Sequence, residues 1–412
     1  MIKAAALYVA IIIALVIAVL SGSLIATAYY YRFSLQKSQR QQRLLLNLES
    51  GSNLLLSKDF NIQEELTSID LYGLTQDSIS IRKKNWGIFE LGEVYAFEQL
   101  DTIKKSFLIA KEIKNDQTVL YLSDEDRPLS ISGSSKISGD AFLPKSGIRQ
   151  AYVDGKGYTS KQLVYGKIKE SGRDLPTFNE TKLNWLKKQL NDTVFYEAVS
   201  EDSLINSFFK STLKFNIRKN EILDKYLKGN IIVYADSVLK ISSSAFLEDV
   251  LVFAPAIIIE KGFRGSGQFF AIDSITLEED VRLHYPSCLG VIKDEKATHQ
   301  PKVSLADNVH FGGLIFTDEK ERSTLQTMLS IAKNTSVEGE IFVKGMLKLE
   351  KPKTIKGKVS CHRFIIQTPT TLYENYLIDI NLDRKRLNKY YLSSNLWEQN
   401  KALSNKILKW LN

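Results

Sequence analysis

Residues 230–292 read NIIVYADSVLKISSSAFLEDVLVFAPAIIIEKGFRGSGQFFAIDSITLEEDVRLHYPSCLGVI, and three apolar series interleave along them. One runs Ile231-Ile232-Val233, Leu251-Val252-Phe253, Phe269-Phe270 and Val291-Ile292. A second runs from Val238 to Ile241, then Ile257-Ile258-Ile259, then Ser274-Ile275-Thr276-Leu277. The third runs Ala245-Phe246-Leu247, Gly262-Phe263 and Val281-Arg282-Leu283. Each series recurs after about 18 to 22 residues, with three short strands per period. That is the rhythm of a parallel β-helix, in which each coil stacks on the last and buries a continuous apolar column. A β-sandwich would also supply many short strands, but it predicts alternation rather than three series held in phase. Phase decides for the solenoid.

A shorter pattern occurs on both sides of this stretch. Ile137-Ser138-Gly139-Asp140-Ala141, Val337-Glu338-Gly339-Glu340-Ile341 and Ile355-Lys356-Gly357-Lys358-Val359 share the form aliphatic-x-Gly-x-apolar. Glycine at such a corner allows a tight bend without a side-chain clash. These stretches resemble those of bactofilin-type polymer-forming proteins and other β-helices. The expected solenoid covers 126–371, its early segment at 126–170 pairing with the later one. A helical insertion interrupts it at about 177–229. The insertion contains NETKLNWLKKQL (179–190), a helix capped by Asn179 or Thr181. KDEKATHQPK (293–302) reads as a surface loop. From 372 to 412 a strand, YLIDINL, and an amphipathic tail, NKILKWLN, are expected to cap the last coil.

Upstream, DSISIRKK, WGIFELGEVYAF, KKSFLIAKEI and TVLYLSD are separated by turn residues at antiparallel spacing. They predict a small β domain over 58–125, with Trp86 as a core residue.

From Ala4 to Ala28 the chain carries no charge. A bilayer core needs about 20 apolar residues in helix, so 4–28 is expected to be one transmembrane span. Ala26-Thr27-Ala28 has the form of a signal-peptidase site, but a signal h-region runs only about 7–15 residues. Tyr29, Tyr30 and Tyr31 follow as an interfacial belt. The span is therefore read as retained. After Arg32 there is no glycine or proline until Gly51, so the helix is expected to continue as a stalk to about Leu56, with Leu44, Leu45, Leu48 and Leu55 on a face that packs on the body.

A membrane helix running unbroken into a long amphipathic helix resembles the start of type IV pilins and of the minor pseudopilins of type II secretion. Leu48-Glu49-Ser50-Gly51 is similar to a stretch on the second half of that helix. The resemblance covers residues 1–57 and implies an inner-membrane protein with its large domain in the periplasm. Arg32, Lys37, Arg40 and Arg43 against Lys3 alone imply, by the positive-inside rule, a body in the cytoplasm. The apolar run holds neither a Glu nor a Gly-Phe processing motif. Processing and pilus-type polymerisation therefore do not follow from the resemblance.

The net charge of +8 is dispersed over 412 residues rather than gathered in a basic stripe, which argues against nucleic-acid binding. Two cysteines are too few for a disulfide framework. His284, Cys288, Cys361 and His362 lack the spacing of two close ligand pairs, so no metal is expected. His310 has no motif that would make it an acyltransferase base. Asp273, Glu278, Glu279 and Asp280 cluster as a calcium-dependent lyase would need, but they fall at a coil corner, where solvated acids are ordinary. Gly262–Gly267 and the run from Gly155 to Lys161 are turns rather than phosphate loops. The resulting expectation is a non-enzymatic, membrane-anchored envelope protein without cofactor, a structural or interaction component of a secretion- or pilus-like assembly, with a membrane-tethered bactofilin-like scaffold or a carbohydrate-active or carbohydrate-binding β-helix as the alternatives. Its contacts would be the membrane through 4–28, and protein partners or further copies of itself.

Overall fold

The computed structural model describes residues 2–73, 77–114, 116–153, 155–192, 196, 201–217, 220–321, 323–368, 371–398 and 403–411. The chain is mainly β, with one long apolar N-terminal helix. It divides into two units, Met1–Lys83 with Gly92–Lys105, and Lys84–Leu91 with Ser106–Asn412.

In the first unit, helix α1 runs unbroken over Ile2–Leu56. Its most apolar stretch has a mean hydropathy of 2.9 with nothing buried, long and apolar enough to cross a membrane. Farther along, Leu44, Leu48 and Leu55 are buried at helical spacing with Ser52. Leu45, expected on the same face, is 49% exposed. One residue is about 100° of helix, which carries it off the stripe. A Cβ at Gly51 would stand 2.7 Å from Val94 Cγ1 and 3.1 Å from Ile79 Cδ1, so glycine permits the close approach of helix to strand. The ion pairs Arg43–Glu98 (2.6 Å) and Arg40–Asp101 (2.8 Å) flank this contact. Strands Gln63–Ile69 and Asp77–Trp86 pair antiparallel, with Ile69 opposite Ile79.

In the second unit the strands pair almost wholly in parallel, and the pairings close into a barrel-type array. Val233 lies opposite Val252, and Val252 opposite Phe269. Phe269 faces Leu289, so the first apolar series continues at Leu289 rather than at Val291, one side-chain alternation earlier. The second series keeps its register: Ile241 opposite Ile259, Ile259 opposite Leu277, and on to Leu305 and Ile331. These inward residues form one buried apolar core running from Val119 to Leu382. Gly313, Gly339 and Gly357 face one another on successive strands with φ of 140°, 140° and 144°. A Cβ on Gly339 would meet Gly313 O at 2.0 Å, so the corner is closed to any side chain.

Three expected boundaries change. Thr118–Leu122 belongs to the parallel array, not to an antiparallel domain ending at 125. Leu120 lies opposite Val359, and Leu120 opposite Ala141. The apolar strand is drawn there because Val119, Leu120 and Leu122 complete the inner column. The helical insertion is shorter than 177–229. It contains α2, Glu180–Leu190, capped by Asn179, whose side chain accepts from Lys182 N. Strands paired into parallel ladders resume at Ser203–Asn206 and Leu213–Asn216.

The third change concerns 372–412, which does not act as a separate cap. Tyr376–Ile378 pairs with Leu129–Ser132, and Ile380–Asp383 joins Lys353–Gln367 to Lys136–Ser138. Leu377, Ile378, Ile380 and Leu382 are fully buried in the inner column, which is what takes this strand into the array. The expected tail is the strand Leu403–Leu411, antiparallel to Asp101–Ile113 with Leu411 opposite Ser106. Asn412 lies outside the described residues.

A second apolar core lies on an outer face of the array. Tyr234, Phe253, Phe270, Phe316 and Phe342 cluster there with Leu183 and Leu186 of α2, and with Trp86, Phe178 and Leu396. Trp86 is thus a core residue, as expected; its Nε1 donates to Asp249 O. Gln268 crosses this cover, accepting from Ile88 N (2.7 Å) and donating to Trp86 O (3.1 Å).

Candidate functional site

The apolar column requires Leu283, Phe311, Val337 and Ile355 to point inward, and all four are buried. Strand alternation then sends their neighbours outward. In register, Arg282, His310 and Ser336 make one outward row, and Gly312, Glu338 and Lys356 make the next. These rows floor a cleft of about 620 Å³. Asn388, Tyr390 and Tyr391, from the segment after Asp383, line it as well.

That segment is clamped to the ladder. Tyr285 Oη donates to Leu392 O (2.9 Å) and accepts from Leu392 N (3.1 Å). Its ring lies 5.0 Å from that of Tyr391, whose hydroxyl donates to Gly313 O (3.3 Å). Behind them the buried Glu340 accepts from Ser393 Oγ (2.7 Å) and Trp397 Nε1 (3.0 Å). Burial pushes the Tyr285 and Tyr391 phenols well above their usual range, and the Glu340 carboxylate adds to this. Both remain neutral hydrogen-bonding groups near pH 7. Tyr390 differs: it is 74% exposed, with the Lys389 ammonium 4.9 Å from its ring.

The charges in the cleft are unbalanced. Lys356 approaches Glu338 at 3.9 Å, a loose surface pair. Among the described residues, no side-chain partner is found for the Arg282 guanidinium or the imidazoles of His284 and His310. Other cations of the array are held by acids or carbonyls. Asp318, 1% exposed, holds Lys344 at 2.6 Å and Lys187 at 3.1 Å. Lys353 donates to Ala332 O and to Thr335 O, and burial lowers its pKa to about 8.

The residues weighed in the sequence as chemistry are separated. Cys288 is buried in the outer apolar core and Cys361 in the inner one, and burial raises both thiols. His362 is bonded to Ser123 Oγ through Nδ1 (2.7 Å), whereas His284 stands in the cleft. Among the described residues no three metal-ligating side chains come together. Asp273 is exposed, and the corner acids are tied to one lysine: Glu279 at 2.6 Å and Asp280 at 3.9 Å from Lys261 Nζ. Gly262 and Gly155 sit in turns with φ of 80° and 74°. His310 is in the cleft, between Arg282 and Ser336 in the ladder, rather than in a catalytic constellation.

Sequence reasoning noticed Arg282 and His310 but did not join them. Their common outward phase, one residue before the buried Leu283 and Phe311, was the available signal. Tyr390 and Tyr391 had no such signal, because nothing local places their segment beside strands that precede them by roughly 35 to 110 residues. In comparisons with protein-family models, curated proteins and solved structures, nothing matches this chain.

Proposed function

We propose that this chain is a non-enzymatic, membrane-anchored component of the bacterial envelope. Residues 4–28 hold it in the inner membrane with its body on the periplasmic side, and the body serves partners in a secretion- or pilus-like assembly. The observation that carries this reading is the contrast within α1. Leu15, Leu20 and Leu24 are 62%, 59% and 71% exposed, while Leu44, Leu48 and Leu55 on the same helix are covered by protein. Exposed apolar residues over a full bilayer length need lipid or a partner.

The body is read as a parallel β-helix. Pairings such as Val233–Val252–Phe269–Leu289 repeat at a near-constant offset, and the inward residues stack into a single column. A solenoid of this kind presents long outer faces. The test is a pair of C-terminal reporter fusions, one active only outside the cytoplasm and one only inside. Outside activity is expected; inside activity sinks the periplasmic reading.

A second reading has one observation in its favour. A bactofilin-like scaffold, tethered to the cytoplasmic face and polymerising through its end coils, needs ends that are not capped. Residues 372–383, expected to cover the last coil, are taken into the array instead. Among the described residues, Ile148–Gln150 is the end strand of a three-stranded sheet and pairs with Leu129–Ser132 on one side. Free edges of this kind template further pairing. Inside reporter activity together with filaments in negative-stain micrographs would establish this alternative.

A further inference from the structure

We infer that the cleft between Arg282 and Tyr390 binds an acidic oligosaccharide, its carboxylates taken by Arg282 and Lys356 and a sugar face resting on Tyr390. This goes beyond the anchoring role and does not depend on the orientation in the membrane.

Three features lead to this ligand class. The first is charge. Cations on other parts of the array are answered by acids at Lys344–Asp318, Lys409–Asp249 and Arg363–Glu125. Among the described residues of the cleft, Lys356 is the cation with an acid near it, at 3.9 Å. A guanidinium left open on a ladder floor is a ready bidentate partner for a carboxylate. The second is periodicity. Arg282, His310 and Ser336 occupy one position on three successive rungs. Rungs are about 4.8 Å apart, so the row presents polar groups at a spacing on the order of one pyranose ring. A polymer of sugar units can keep step with such a row, whereas an extended peptide has its side chains on one face at about twice a residue's rise. The third is the aromatic wall. Tyr390 offers an uncovered ring, and Tyr285 and Tyr391 are held rigidly by their hydrogen bonds. A rigid ring with a polar tip suits the apolar face and the hydroxyl rim of a sugar, at little entropy cost.

Specificity follows from this division of labour. Arg282 and Lys356 select acidic over neutral sugars, and the ring selects a sugar over an acidic peptide of equal charge. Glu338, half-buried beside Lys356, is placed to accept from hydroxyls and to disfavour a second carboxylate at that rung.

The experiment is calorimetric titration of the full chain in detergent with four probes: an alginate tetramer, a neutral cello-tetraose, a short poly-glutamate peptide and inorganic sulfate. Saturable binding of the alginate tetramer is expected, at least about tenfold tighter than any other probe. It should weaken as salt rises from about 0.05 M to about 0.5 M. Arg282→Ala and Tyr390→Ala should each lower its affinity about tenfold or more. Lys320→Ala, which removes an exposed cation paired with Glu295 beyond Asp318, at the other end of the strand that begins with His310, should leave it unchanged. Both cleft residues are exposed, so their variants are expected to melt with the parent, and a thermal scan verifies that the loss is one of binding. Poly-glutamate or sulfate binding as tightly as the alginate tetramer would overturn the assignment. So would equal losses with Lys320→Ala, or no binding of the alginate tetramer at millimolar concentration.

Discussion

The same strands present two outer faces of opposite character. On Arg282–Ile292, His310–Asp318 and Ser336–Leu349, the later residues Cys288, Leu314, Phe316 and Phe342 lie in an apolar core under Phe178 and Leu396. The earlier residues Arg282, His284, His310 and Glu338 stand in an open cleft. Backbone, register and rung spacing are common to both. A parallel ladder therefore leaves its outer chemistry free, and the outward residues alone decide whether a face recruits a cover or stays open. The column Gly313, Gly339 and Gly357 is the corner at which one face gives way to the other.

The most severe way to break the comparison is at that corner. Gly339→Ala places a Cβ against Gly313 O and also forces alanine to φ near 140°, so we expect a loss of about 5 kcal/mol in urea unfolding, or failure to fold. Next comes the covered face. Phe316 is fully buried, with its ring 5.6 Å from Phe178, and Phe316→Ala should cost about 4 kcal/mol by the same measurement.

A smaller effect is expected at Lys353, on the strand that also carries Lys356 of the cleft. Its folded pKa, near 8, lies below the unfolded value, so between these values the folded chain binds fewer protons than the unfolded one. Stability should rise with pH in that window. From pH 8 to 10 the parent should gain about 1–2 kcal/mol relative to Lys353→Gln, and a difference that falls with pH would refute the assignment. The open face should show the least. Arg282→Ala and Tyr390→Ala should each change unfolding free energy by no more than about 0.5 kcal/mol, while altering ligand affinity as described above.

Much of the architecture was legible because it is periodic. The apolar series from Ile231 to Leu283, the glycine corners and the helix through Leu56 all follow from repeats in the chain. The errors fall where position depends on remote partners. Leu120 and Leu122 look like part of any antiparallel strand, yet they pair with residues of Lys353–Gln367, more than two hundred positions later. Leu45 looks like a member of the stalk's buried face until the strands beneath the helix define which stripe is covered. The cleft was half legible: Arg282 and His310 share a phase, but Tyr390 reaches them only through the clamp made by Tyr285 and Leu392.

By itself the sequence determined the uncharged run of 4–28 and its continuation as one helix, the β character of the body and the period of its strands. These are set by hydropathy and spacing, which act over a few residues. Tertiary structure alone decided that 118–143 joins the far end of the array beside 353–383, that Leu403–Leu411 pairs with Asp101–Ile113, and that one outer face is covered while the other is left open. Those outcomes turn on which exposed strand edge or apolar face meets another. That is a competition among distant segments, and no local pattern encodes its result.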